Sequence, residues 1–239
     1  MRILSVSDVH APLWLKDLEK VVHDIEEKPD ILLIAGDMID RGNAKFYRKV
    51  VDILSKLDGE MIAVFGNDEY DTVKDQILDE NPEVIFLQDE STILEIDGTK
   101  IGIVGSKGSL EIPTSWQRKN IPGIDKIYKK RVSLIGDLLR EISPKVDVRI
   151  LLTHYATTTK TMRGENPRAW RYLGHRGFEK YMNEGLVDIS IHGHVHNGRK
   201  IAQVGRTKVY NVAFPLWWRL VNIDVSREKQ PSIEEFLSR

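Results

Sequence analysis

Five short apolar runs in this chain each end in a cluster of Asp, Asn, Glu or His side chains. The clearest is the run at 31–35, which is followed by Gly36-Asp37-Met38-Ile39-Asp40-Arg41-Gly42. The other clusters are Asp8-Val9-His10, Gly66-Asn67-Asp68-Glu69, Thr153-His154 and Gly193-His194-Val195-His196. A β-branched run ending in Gly-Asp is typical of a buried strand that delivers a carboxylate into the following loop. Ligands bind at that position in open α/β sheets, so the pattern predicts one polar site built from several strand ends.

The order of the elements in the first half favours an α/β fold. Strands at 2–7, 31–35 and 61–65 alternate with helical patterns at 13–27 and 44–57. This βαβαβ order predicts parallel strands joined by right-handed crossovers, with the three strand ends at one edge of the sheet.

The second half is predicted to add strands, some of them antiparallel. Asp97-Gly98 is a hairpin signal between two short strands. Residues 112–124 contain two prolines and are expected to be irregular, while 125–142 have helical periodicity. The remaining predicted strands lie at 83–87, 91–96, 100–104, 147–153, 187–191, 200–204, 207–212 and 220–225. No repeat or linker interrupts the sequence, so we expect a single domain over residues 1–239.

Composition limits the chemistry of the site. The chain has no Cys, which excludes disulfides, zinc–thiolate sites and thiol nucleophiles. A metal must then be held by His, Asp, Glu or Asn, which suits manganese, iron, zinc, nickel or cobalt. The net charge of −1 gives no overall attraction to nucleic acid or membranes. No run approaches the roughly 18–20 apolar residues of a membrane span, and Asp8 comes before a signal-peptide core could form, so we expect a cytoplasmic protein.

Taken together, the clusters supply enough donors for a metal centre. A single Asp at a strand end would indicate only a turn. In extended backbone, however, Asp8 and His10 would point to the same side and could share an ion. The candidate ligands are Asp8, His10, Asp37, Asn67, His154, His194 and His196. They suffice for two ions if the Asp37 carboxylate bridges the ions. Two cations about 3.5–4 Å apart can bind a phosphoryl group and lower the pKa of a shared water, so the ligand set predicts in-line hydrolysis of a phosphate ester by metal-bound hydroxide.

These motifs resemble those of the calcineurin-like metallophosphoesterases. The order Asp-x-His, Gly-Asp-x-x-Asp-Arg-Gly, Gly-Asn-x-Glu, Thr-His and Gly-His-x-His extends from Asp8 to His196. The resemblance implies a four-layer sandwich of two mixed β-sheets flanked by helices. It also implies two divalent transition-metal ions, with manganese preferred. One ion would be held by Asp8, His10, Asp37 and His196, and the other by Asp37, Asn67, His154 and His194.

The chain departs from the family pattern at Asp68. The family usually has a His there, which helps to protonate the leaving group or to neutralise the phosphate. Two neighbouring cations would lower the pKa of Asp68 and make it a poor proton donor. Because diesters need that acid less, we expect a phosphodiesterase, with a nucleotide or nucleic-acid fragment as a candidate substrate. Asn67 and Asp68 are the catalytic candidates, and Asp68 either has a structural role or orients a water.

Several alternatives stay open. Arg41 resembles a phosphate-binding Arg of the protein-phosphatase branch, but it could equally be a turn residue paired with Asp40. The basic segments 118–131 and 160–171 either contact a phosphorylated substrate or form solvated surfaces. The aromatic cluster 214–218 is typical of core or of a cover for a sheet edge. The alternative functions are a phosphomonoesterase or phosphoprotein phosphatase, and a non-catalytic metal-binding scaffold. The sequence does not indicate the oligomeric state.

Overall fold

A computed structural model describes residues 1–225; residues 226–239, which the single-domain prediction includes, lie outside the described part. The predicted strand–helix alternation of the first half is confirmed. Its elements are β1 (Ile3–Val6), α1 (Leu15–His23), β2 (Ile31–Ile34), α2 (Tyr47–Leu54), β3 (Glu60–Ala63), α3 (Lys74–Glu80) and β4 (Val84–Phe86). Strands β1 to β4 pair in parallel, as their helical connections require.

A second sheet begins at β5. Its strands are β5 (Glu90–Ile96), β6 (Thr99–Ser106), β7 (Val148–Thr153), β8 (Ile189–His192), β9 (Ile201–Val204) and β10 (Thr207–Asn211). Their order in the sheet is β5-β6-β7-β8-β10-β9, and the two outer strands are antiparallel to their neighbours. The predicted hairpin joins β5 to β6. Asp97 and Gly98 both have positive φ, 50° and 76°, as a type I′ turn requires.

The last strand returns to the first sheet. Strand β11 (Val221–Ile223) pairs antiparallel with β1 and makes the first sheet mixed, in the order β11-β1-β2-β3-β4. The remaining helices are α4 (Ser115–Asn120), α5 (Ile124–Ile142), α6 (Glu179–Asn183) and α7 (Phe214–Trp217). Within the described residues, no helix is both long and apolar enough to cross a membrane.

The expectation that residues 112–124 are irregular was wrong at α4. Thr114 and Gln117 form a reciprocal capping box: the Thr114 hydroxyl accepts from the Gln117 N–H at 3.2 Å, and the Gln117 side chain accepts from the Thr114 N–H at 2.9 Å. These bonds satisfy backbone donors at the start of a helix that is too short to show periodicity. The two nearby prolines flank this helix instead of preventing it.

The four layers of the fold follow from the alternation of side chains between the two faces of each strand. Ile31 and Leu33 of β2 face the second sheet, where they meet Ile101 and Ile150, whereas Leu32 faces outward. Helices α1 and α2 pack on that outer face, and α5 packs on the outer face of the second sheet. The predicted four-layer sandwich is therefore confirmed. Because successive side chains of a strand point to opposite faces, each buried strand contributes to both the central and an outer core.

Candidate metal centre

The loops after β1, β2, β3, β7 and β8 converge at one edge of the two sheets. Among the described residues, Asp8, His10 and His196 offer ligand atoms within 4.8 Å of one another, and so do Asp37, His154 and His194. Asn67 joins the second group, with its Oδ1 3.1 Å from His154 Nε2. The structure thus brings together all seven candidate ligands in two neighbouring groups, which agree with the two sets implied by the family resemblance except that Asp37 is absent from the first. Asp37 belongs to the second group only, so its bridging role stays a prediction.

The ligands reach this edge through left-handed backbone. Asp8, His10, Asp37 and His194 have φ values of 56°, 44°, 52° and 67°. Such conformations cost non-glycine residues of order 1–3 kcal/mol each and cluster at functional sites. The expected convergence of Asp8 and His10 is present, with His10 Nε2 3.8 Å from Asp8 Oδ1. The assumption of extended backbone was wrong, because a turn brings the two side chains together.

Glu69 holds two of the ligand loops in place. Its buried carboxylate accepts the backbone N–H groups of Asp37, Met38 and Gly66 at 2.8, 2.7 and 2.6 Å, and that of Ile39 at 3.3 Å. Sequence reasoning placed Glu69 in its cluster but gave it no role. The signal was its position as the final acid of Gly-Asn-x-Glu. Burial and the Asp37 carboxylate raise the pKa of Glu69 to about 7, against the opposing effect of the N–H donors.

Two glycines allow these loops to touch backbone to backbone. Gly36 has φ of 81°, and a Cβ there would lie against the main chain of Gly66. A Cβ on Gly66 would in turn overlap the Asp37 carboxylate and N–H. The loop after β3 can therefore approach Asp37 closely enough for the Asp68 N–H to donate to Asp37 Oδ1 at 2.8 Å.

The charges of the site suit divalent cations. Asp8 and Asp37 are buried to within 1% exposure, a placement that carboxylates rarely adopt without a counter-charge. Burial alone would raise the pKa of Asp8, but the hydrogen bond from His196 and the charge of His154 hold it well below its usual range. Burial would likewise lower the pKa of His154, yet Asp37 raises it to about 9. Carboxylates with imidazoles and an amide form a donor set that fits two divalent transition-metal ions.

Asp68 lies against the ring of His10. Its Oδ2 is 3.2 Å from His10 Nδ1, and its Oδ1 accepts from the Asn67 amide at 3.1 Å. Burial raises the pKa of Asp68, but the hydrogen bond and charge of His10, together with the hydrogen bonds from the Arg41 backbone and the Asn67 amide, lower it by more, so the net pKa is lowered. A ligating histidine commonly donates its second ring N–H to a carboxylate in this way. Asp68 is therefore placed to orient His10.

The other candidates for substrate contact lie further out. The Arg41 side chain is 82% exposed, with its Nε 4.0 Å from Asp40 Oδ1, which is the arrangement of the turn alternative. In the first basic segment, Arg131 pairs with Asp89 at 2.8 Å. In the second, Lys160 donates to the Gln203 carbonyl at 2.8 Å. Substrate binding by Arg41 or by segments 118–131 and 160–171 stays a prediction.

The aromatic cluster at 214–218 divides into two parts. Phe214 is fully buried, as expected of core, but Trp218 is 52% exposed and lies near the ligands. Trp14, which sequence reasoning did not single out, stands between Trp218 and His196. No pattern in the sequence indicates this pairing, because the two tryptophans are far apart along the chain.

Both the sequence and the fold of this chain are similar to those of known proteins. A family model described as calcineurin-like phosphoesterase matches residues 1–198. A phosphopantetheinyl hydrolase from Mycobacterium tuberculosis superposes with a TM-score of 0.68 at 16% identity, over 96% of this chain and 98% of its own. A dimetal phosphatase from Danio rerio gives 0.60 at 11% identity, over 88% and 86%. A 5′-nucleotidase described as putative, from Staphylococcus aureus, gives 0.57 at 13%, over 88% and 48%. A search of curated proteins found no match.

Proposed function

The chain belongs to the calcineurin-like phosphoesterase family, and from this premise we propose that it hydrolyses a phosphodiester with the help of two divalent cations. A nucleotide or nucleic-acid fragment is the proposed substrate class. Manganese is the proposed metal. The named fold neighbours include a phosphopantetheinyl hydrolase and a dimetal phosphatase, and neither name decides between a monoester and a diester for this chain.

The observation that carries the preference for a diester is the pairing of Asp68 with His10. A proton donor must hold its proton at working pH and reach the leaving oxygen. Asp68 has a lowered pKa and directs its carboxylate oxygens at His10 and Asn67. It can therefore neither give a proton readily nor add positive charge beside the phosphate. A monoester carries one more negative charge than a diester and would lose more from the missing imidazole.

The remaining residues have roles that follow from their positions. Bound cations would neutralise phosphoryl charge and lower the pKa of water. Asp8 and Asp37 would bind these cations on the side of the protein interior, because both carboxylates are buried. Asn67, whose amide oxygen lies 3.1 Å from His154, would contribute a neutral ligand. The amide leaves the total negative charge of the site lower than a third carboxylate would, which favours an anionic substrate.

The test compares a diester and a monoester with the same leaving group. With manganese, we expect hydrolysis of bis-p-nitrophenyl phosphate to exceed that of p-nitrophenyl phosphate, and chelation to abolish both. Asp37→Asn is the inactive control, since it removes a buried ligand candidate. Faster turnover of the monoester would contradict the proposal and favour a phosphomonoesterase or phosphoprotein phosphatase. No turnover of either ester, together with retained metal binding, would favour the scaffold alternative.

A further inference from the structure

Two tryptophans form an aromatic wall beside the first group of ligands. The Trp14 ring lies 5.8 Å from the His10 ring and 6.3 Å from the His196 ring, measured between centroids. Trp218 continues the wall, with its ring 6.0 Å from Trp14 in an edge-to-face arrangement. A group esterified to a phosphate at the metal centre would pass within reach of this wall.

Trp218 lies at the end of an anchored helix and has left-handed backbone. Helix α7 is anchored next to β1 through the Phe214 N–H, which donates to the Ser7 carbonyl at 2.9 Å. Ser7 in turn donates to Asp8, a candidate ligand, at 2.5 Å. Trp218 ends the helix in left-handed backbone with φ of 52°, a conformation that bulky residues rarely adopt. Backbone strain that is held by tertiary contacts is found preferentially at functional sites.

About half of the Trp218 side chain is exposed and accessible to a ligand. Trp14 is partly buried against the core, and Phe214 supports Trp218 from behind at 5.7 Å between centroids. Even so, Trp218 keeps 52% of its surface exposed. A large indole held in one place beside a reaction centre loses little conformational freedom when a planar ring stacks on it.

Two cations lie over the ring of Trp217, the residue that precedes Trp218 in the chain. Lys200 Nζ stands 4.7 Å and the Arg219 guanidinium carbon 5.2 Å from the centroid of the Trp217 ring. Trp217, Trp218 and Arg219 also line a cleft of about 600 Å³, whose lining includes the carboxylates of Asp24 and Asp224 as well. Aromatic faces alternating with cations are how proteins bind single-stranded nucleic acid, because bases stack while the cations contact phosphates. A lipid substrate would instead favour a continuous aliphatic surface.

From this juxtaposition we infer that Trp14 and Trp218 form a base-binding subsite, in which Trp218 stacks on the nucleobase next to the reacting phosphodiester. Trp218 is then a specificity-determining residue for nucleotidyl esters. The inference rests on the proposed function, since it assigns the substrate class of the same site. Lys200 and Arg219 would attract the next phosphate of a longer strand.

The experiment uses two diesters that differ only in the base. These are the p-nitrophenyl ester of thymidine 5′-phosphate and the p-nitrophenyl ester of 1,2-dideoxyribose 5-phosphate, in which hydrogen replaces the base, assayed with manganese and the full chain. We expect the base to raise kcat/KM by roughly 5- to 150-fold, the range of one stacking contact. Trp218→Ala should remove most of this preference while turnover of the abasic ester changes little, and Trp218→Phe should restore part of it.

Trp116→Ala is the matched control, because it removes another exposed indole. Trp116 is 65% exposed on α4, a helix that contacts Tyr155 through Gln117. The substitution should leave the preference for the base unchanged. Equal turnover of both esters by the parent protein would overturn the subsite but leave the phosphodiesterase intact. So would an equal effect of Trp218→Ala and Trp116→Ala on the preference. If the parent hydrolyses neither ester, the proposed function itself fails. If Trp218→Ala does not fold, two other measurements decide the question. The first is the ratio of kcat/KM for the two esters in Trp218→Phe. The second is inhibition of the parent protein by thymidine monophosphate compared with inhibition by inorganic phosphate.

Discussion

Replacement of Glu69 by Gln tests how the ligand loops are held. The two carboxylate oxygens together accept the N–H groups of Asp37, Met38, Ile39 and Gly66. A glutamine keeps only one acceptor oxygen and turns an NH₂ group toward the other donors, so about two buried N–H groups lose their partner. Each costs about 1–3 kcal/mol. The substitution also removes the repulsion between the Glu69 and Asp37 carboxylates, which offsets part of this cost. We therefore expect a net decrease of about 2–4 kcal/mol in the free energy of unfolding.

The assay is thermal unfolding followed by circular dichroism, together with calorimetric titration of manganese. For a chain of this size, the expected loss lowers Tm by about 5–15 °C. Because the same bonds position Asp37, manganese should also bind roughly 10- to 100-fold more weakly. Glu141→Gln is the control, since Glu141 is exposed and its ion pair in the described part of the chain is with Lys145, one helical turn away. A Glu69→Gln protein with the stability and manganese affinity of the control would refute the reasoning.

Three further substitutions address other parts of the site. Asp68→Asn should keep manganese-dependent diester turnover to within roughly 100-fold of the parent, because its role is to orient a ligand; loss as complete as in Asp37→Asn would contradict this. Gly66→Ala should weaken manganese binding in calorimetry, since its Cβ overlaps Asp37, and parent-like affinity would show that the loops can separate. Burial, aided by the charge of Lys74, lowers the pKa of Lys107 from 10.5 to about 8 in the folded protein. Below pH 8 the buried amine is charged and lowers the stability of the folded state, and this cost disappears as the pH rises to 10.5. Lys107→Met should therefore raise stability in denaturant titrations by about 1–2 kcal/mol at pH 7 and by less at pH 10, and an equal gain at both would be inconsistent with this cause.

The sequence predicted most of the fold because its signals are local. The apolar runs at 31–35 and 147–153 are short and β-branched, and Asp97-Gly98 requires positive φ at both positions, so each indicates one structure. Helix α4 was missed because its only signal is the Thr114/Gln117 capping box. Six residues are too few to show a periodicity.

The site was predictable in its members but not in its geometry. The side chains of Asp8 and His196 could be proposed as partners because strand ends share an edge, and they lie 3.0 Å apart. The remaining geometry of the site depends on contacts between residues that are distant in the sequence. The four-donor cradle around Glu69 depends on the crossing of two loops, and the wall formed by Trp14 and Trp218 joins residues from opposite ends of the chain. Neither contact leaves a pattern along the sequence.

Anomalous diffraction from crystals grown with manganese tests the central claim most directly. The account predicts two neighbouring anomalous peaks, one within bonding distance of Asp8, His10 and His196 and the other of Asp37, His154 and His194. Peaks elsewhere, or no peak at these side chains in the presence of excess manganese, would contradict it.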